Sequence, residues 1–197
     1  MLKRCLATLA LSFILIGSVT AGSKEDGWTA YNSGDYASAL TLWTPLAEQG
    51  DAKFQYILGA MYSDGQGVAK DDVEAVRWYR LAAEQGYAIA QNSLGLSYAN
   101  GQGVVQNFTE ALRLYHLAVE QGYAKAQSNL GVMYAKGRGV PEDLVVAYVL
   151  FDLAASQGDE KAKENRDMAA SGMTQLQIEK AQRLSQECIS THYKNCL

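Results

Sequence analysis

Few residues in this chain have side chains suited to bond chemistry. Cysteines stand at 5, 188 and 196, and the two histidines, His116 and His192, lie 76 positions apart. Histidines so distant give a metal ion no local ligand set and leave general acid–base catalysis without a relay. Cys188 and Cys196 point elsewhere, because an even pair of thiols in an oxidising compartment is expected to join. Eight residues along one straight helix span about 12 Å, against the roughly 4.4–6.8 Å between Cα atoms that a disulfide tolerates. The expectation is therefore that Cys188 ends the last helix and that residues 189–195 turn back to bring Cys196 onto it. Such a loop contributes about 2 kcal/mol in the loop-entropy model. A redox pair would sit two residues apart, and zinc beside His192 would lack a fourth ligand. The adjacent carboxylates Asp71-Asp72 and Glu142-Asp143 fall where helices should begin, and acidic groups favour helix N-termini. His116, beside Tyr115 and Leu117 with no counterpart at 80 or 152, is expected at the surface. No catalytic, cofactor-binding or metal-binding residue is expected.

The oxidising compartment is read from residues 1–21. Lys3 and Arg4 precede an apolar run from Cys5 to Val19, and Val19-Thr20-Ala21 offers small side chains before Gly22. This has the layout of a secretory signal peptide cleaved after Ala21. The apolar run is shorter than the roughly 20 residues of a spanning helix, and Cys5 stands at its start, which disfavours a lipid anchor. A periplasmic or secreted protein without stable membrane insertion is expected. Lys plus Arg total 17 against 21 Asp plus Glu, a formal net charge of −4, and losing Lys3 and Arg4 with the leader takes it to −6. Nucleic acid is not an expected partner.

The elements that position these residues announce themselves as repeats. A shift of 36 residues aligns Leu58-Gly59 with Leu94-Gly95 and Leu130-Gly131, Tyr62 with Tyr98 and Tyr134, and Gly67-Val68 with Gly103-Val104 and Gly139-Val140. Ala75, Ala111 and Ala147 follow, then Gln85-Gly86, Gln121-Gly122 and Gln157-Gly158. Residues 58–93 and 94–129 share 20 identities in 36, and a fixed period of this length means stacked supersecondary units. Within a unit the apolar spacing is helical: Phe108, Ala111, Leu112, Tyr115, Ala118 and Val119 fall at three- and four-residue steps. Each unit is two helices, the first stopped by Gly-x-Gly and the second capped by Gly86, Gly122 or Gly158. Pro141 suits the start of a second helix. Small residues at Gly59, Gly95 and Gly131 allow close helix approach, and Tyr62, Tyr98, Tyr134, Trp78 and Tyr79 are expected to pack between units. Asp26 to Gly50 reads as a shortened first unit turning at Asn32-Ser33-Gly34. At the other end Ser171-Gly172 breaks the last pair before a helix from about Thr174 to Glu187 with a polar outer surface.

The pattern Leu-Gly-x-Met-Tyr-x-x-Gly-x-Gly-Val, followed by Ala-x-x-Trp-Tyr-x-x-Ala-Ala-x-Gln-Gly, resembles the Sel1-like repeat, a relative of the tetratricopeptide repeat. Residues 58–86 match nearly in full, 94–122 and 130–158 with substitutions, and 27–50 look more like a tetratricopeptide unit. The resemblance implies an all-α, right-handed α/α superhelical solenoid. Its units would be about 27–50, 51–86, 87–122 and 123–158, with a capping pair at 159–187 and a disulfide-closed tail at 188–197. It also implies an adaptor for a protein or peptide partner, and hence an exported non-catalytic scaffold of the envelope or host interface.

By analogy with a tetratricopeptide groove, the partner-facing candidates are Tyr56, Ala60, Ser63 and Asp64. The next two units add Asn92, Leu96, Ala99 and Asn100, then Ser128, Val132, Ala135 and Lys136. The lysine and asparagine arrangement by which some tetratricopeptide proteins clamp a peptide carboxylate is not recognisable among them. The alternative implied by cysteine-rich Sel1-like proteins, a β-lactam- or peptidoglycan-related hydrolase, meets no Ser-x-x-Lys, Ser-Asp-Asn or Lys-Thr-Gly in the chain, and the repeats lack paired cysteines.

Overall fold

A computed structural model describes residues 22–191, and among them every regular element is a helix. Helix α1 covers 22–32, and then come α2 (Tyr36–Glu48), α3 (Ala52–Asp64), α4 (Asp72–Glu84), α5 (Ala88–Asn100) and α6 (Phe108–Val119). The order closes with α7 (Ala124–Ala135), α8 (Leu144–Ser156), α9 (Glu160–Ser171) and α10 (Gln175–Ser190). No helix among the described residues is long and apolar enough to cross a membrane. The described residues divide into two compact units, with the boundary between Leu81 and Ala82.

In the first unit Trp43, Ala39 and Ala47 of α2 are buried against Phe54, Leu58 and Met61 of α3 and Trp78 of α4. Trp28 meets Trp43 edge-on, with ring centroids 4.7 Å apart. Gly27 has no Cβ because the Trp43 indole occupies the place one would take. Gly59 stands in the same relation to the ring of Tyr79. Asp35 and Asp51 accept from backbone N–H groups in the first turns of α2 and α3, and Asp71 does so for Val73 and Glu74 in α4. Asp71 thus caps a helix, the expected use of that acidic pair.

In the second unit the most apolar helix is the most enclosed. α8 reads Leu-Val-Val-Ala-Tyr-Val-Leu-Phe-Asp-Leu-Ala-Ala-Ser and packs against α7, α9 and α10, as a helix apolar except at Asp152 and Ser156 must. Its Leu150 joins Leu112, Tyr115 and Val119 of α6 and Leu130 and Met133 of α7 in one core. Tyr148, Val149 and Leu153 form another with Ala181 and Cys188 of α10. The Gly95 and Gly131 positions admit the Tyr115 and Phe151 rings to within 2.8 and 2.7 Å of where a Cβ would sit. Gly101, at φ +70°, ends α5 in the left-handed conformation, the role expected of the first glycine of Gly-x-Gly.

Two expectations need correction. Pro141 is not at the start of α8: that helix begins at Leu144, and Asp143 caps it by accepting from Val145 and Val146. A side-chain cap satisfies the free N–H groups directly, which leaves Pro141 in the loop. The last helix runs to Ser190, past the expected Glu187, because Ala181, Leu184 and Cys188 continue its apolar stripe at helical steps. Thr174 starts it with a capping box completed by Gln177.

Candidate partner-binding cleft

Three of the groove candidates come together around one concavity. Val132, Ala135 and Lys136, at the end of α7, line a cleft of about 550 Å³ in the second unit. α8 supplies Leu144 and Phe151 to it, and α9 supplies Lys161, Asn165, Met168 and Ala169. The local reasons can be traced. Gly131 lets α8 close onto α7, which sets Phe151 in the floor. Asp159 caps α9 through Ala162 N, and Ala162 and Ala169 form the buried face of that helix. Lys161, Asn165 and Met168, spaced by four and three residues, then share the neighbouring face. Met168 is 71% exposed, an apolar side chain standing in water beside the floor.

The cleft is electrostatically lopsided. Lys136 and Lys161 line it and no carboxylate does. Among the described residues neither ammonium enters an ion pair, and the Asn165 amide makes no hydrogen bond. Arg166, also on α9, differs: its guanidinium donates to Asp152 and Asp167, both at 2.9 Å, and these bonds hold it more firmly protonated. The free positive charge at this cleft therefore belongs to the two lysines. An apolar floor beside ammonium and carboxamide groups is equipped to hold a ligand.

The remaining candidates take different positions. Asn92 is only 7% exposed, and its Oδ1 accepts from Asn129 Nδ2 at 2.8 Å, which ties α5 to α7. Ala99 is buried, Leu96 is 42% exposed, Asn100 is exposed and Ser128 is half-buried. In the first unit Tyr56 stacks on Tyr79 with centroids 5.9 Å apart, while Ala60 and Ser63 are half-buried and Asp64 is exposed. Burial, with the nearby Tyr56 next, pushes the Tyr79 phenol well above the usual range, and a hydrogen bond to Ser63 opposes this. Burial raises Tyr115 likewise, so neither phenol is poised to ionise near neutrality.

His116 is half-buried, not at the surface as expected. Desolvation lowers its pKa, and the charge of Glu120 partly opposes that shift. Its helix is amphipathic, and the position borders the buried face instead of lying opposite to it. Cys188 is fully buried in the last turn of α10, while Cys196 and His192 lie outside the described residues.

Lys161, Asn165 and Met168 are not among the groove residues expected from the sequence, although a signal for Met168 exists. Lys161 and Asn165 follow Lys125 and Asn129 by one period, and Met168 follows Val132. One further step of 36 residues from the groove positions reaches Met168 alone of the three, since Lys125 and Asn129 are not groove positions. The leucine–glycine landmarks that set the register stop at Gly131, which hides it.

Comparison with known proteins fits this architecture. A Sel1 repeat protein from Oxalobacter formigenes aligns with a TM-score of 0.69 at 35% identity, over 73% of this chain and 59% of that one. A protective antigen present in uropathogenic Escherichia coli strains, displaying an SLR fold, aligns with a TM-score of 0.75 at 34% identity. That alignment covers 81% of this chain and 34% of the antigen. A stretch of 53 residues is 38% identical to an exopolysaccharide production negative regulator of Rhizobium leguminosarum bv. viciae. The stretch is 27% of this chain and spans about a fifth of the regulator, 20% of its length. The fold class is thus that of the all-α Sel1-like solenoids. The Sel1 repeat model matches residues 52–87, 88–123 and 124–159, more than half of the sequence, and the chain belongs to the Sel1 repeat family.

Proposed function

We propose that this protein is an exported, non-catalytic scaffold that holds a protein or peptide partner in the cell envelope or at the host interface. The observation that carries the reading is the α7–α9 cleft, an apolar floor lined also by two lysines that enter no ion pair among the described residues. Membership of a repeat family whose members generally mediate protein–protein interactions supports it. Export rests on the layout of residues 1–21, and the related protective antigen is in keeping with a host-facing setting. A Cys188–Cys196 disulfide belongs to the same proposal, because it requires the oxidising side of a membrane.

The test is capture of partners from a periplasmic extract by the protein from Gly22 onward, beside the variant Leu96→Arg, Asn100→Ala, Val132→Arg. Loss of specific partners from the variant supports the groove, and equal recovery by both discards it. Turnover of a chromogenic β-lactam above buffer would overturn the non-catalytic reading. Free thiols titrated in protein taken from the periplasm before reduction would remove the disulfide.

A further inference from the structure

We propose that the α7–α9 cleft takes an extended peptide segment in which one large apolar side chain is flanked by side-chain carboxylates. This rests on the scaffold reading and adds the chemistry of the partner. Three features argue for it together. Apolar groups from three helices, Val132, Leu144, Phe151 and Met168, make a seat suited to one large apolar side chain. Lys136 and Lys161 bring positive charge to that seat from two different helices, with no carboxylate among the lining residues to neutralise them. Asn165, one turn after Lys161, adds a carboxamide able to donate to a carboxylate oxygen or accept from a peptide N–H.

Charge complementarity chooses the occupant. The whole chain is acidic, with a formal net charge of −4, so two uncompensated lysines at one concavity run against the average of the molecule. Glu160 and Glu164 lie on the same helix but do not line the cleft. A neutral apolar peptide would leave both ammonium groups without partners at a seat it had desolvated. A polyanion without apolar groups would leave the floor wet. An acidic-apolar segment satisfies both parts, and an open cleft lets a continuous chain pass through where a small molecule would stay half exposed.

The probe is a fluorescein-labelled peptide with blocked ends, Gly-Ser-Glu-Leu-Phe-Asp-Glu-Ser-Gly, followed by anisotropy against the protein from Gly22 onward. Saturable binding is expected, about tenfold weaker when Glu and Asp are replaced by Gln and Asn, and weaker again when Leu and Phe become Ser. The variant Lys136→Glu, Lys161→Glu should lose about tenfold in affinity, while Lys180→Glu on α10 should match the parent. Lys136→Gln, Lys161→Gln, with helix content checked by circular dichroism, separates loss of charge from loss of fold. Amide shifts confined to residues around Val132, Lys161 and Met168 would place the peptide. The proposal falls if the acidic peptide does not bind at millimolar concentration, if the amide peptide binds equally well, or if charge reversal at the cleft changes nothing. Should the Leu96, Asn100, Val132 variant still lose its partners in that case, the scaffold reading stands and only the peptide chemistry is wrong.

Discussion

Gly59 shows how much one missing carbon decides. Its Cβ would come within 2.5 Å of the Tyr79 ring and 3.1 Å of the Ala75 carbonyl oxygen. Alanine in a helix gains about 1 kcal/mol over glycine, but overpacking of this kind costs about 1–3 kcal/mol, so the clash wins. Gly59→Ala should lower the thermal midpoint. Gly59→Ala in a Tyr79→Leu background should cost much less, and a cycle with no coupling between the two sites would contradict the packing account. His116 adds a pH dependence. Burial lowers its pKa in the folded state, so the unfolded chain binds the proton more readily. Stability from this group is then complete above the ordinary histidine value of 6.5 and is lost as pH falls through the lower folded value. Denaturant midpoints measured between pH 7.5 and 4.5 should fall less in His116→Gln than in the parent.

At the scale of the element, helix starts follow a rule with an instructive exception. The first helices of successive pairs begin after residues 51, 87, 123 and 159, one period apart. Asp51 and Asp159 cap theirs through side-chain oxygens, whereas Tyr87 and Tyr123 make no side-chain cap bond. Tyr123 instead packs against the core of α6, α7 and α8, so the interior position trades a cap for burial. Asp159→Ala should therefore cost about 1 kcal/mol in a urea titration. Tyr123→Asp, which restores a capping side chain, should destabilise despite the added cap, because the aromatic burial it removes outweighs the hydrogen bonds it adds. If Tyr123→Asp stabilised the protein, the trade would be refuted.

For the molecule as a whole, the second unit depends on helices that cannot stand alone. Apart from Asp152 and Ser156, α8 has only apolar side chains, and α10 covers its Tyr148, Val149 and Leu153. Repeat arrays of this kind need an end element with one polar side. Ending the chain after Gly172 uncovers three core side chains, a loss on the order of 5 kcal/mol by area bookkeeping, and should yield a protein that binds hydrophobic dyes and unfolds without a sharp transition. A chain ending at Thr191 keeps α10 and should fold cooperatively. Its deficit relative to full length then measures the tail that carries Cys196. Cooperative unfolding of the chain that ends at Gly172 would show that α10 is dispensable.

The sequence by itself determined the helical units, their period of 36 residues and most of their ends. These depend on interactions a few residues apart: three- and four-residue apolar steps, aspartates that cap first turns, and glycines that close last ones. It also marked Gly95 and Gly131 as sites of close approach, since a glycine inside a helix needs a packing reason. What it left undecided was burial at equal repeat phase. Asn92 and Ser128 are one period apart, yet only Asn92 is sealed in, by an asparagine from α7. The meeting of Lys136 with Lys161 and Asn165 around Phe151 was likewise a matter of tertiary structure, because a cleft exists only where side chains from separate helices face one another, and a repeat period carries no record of what each neighbour brings.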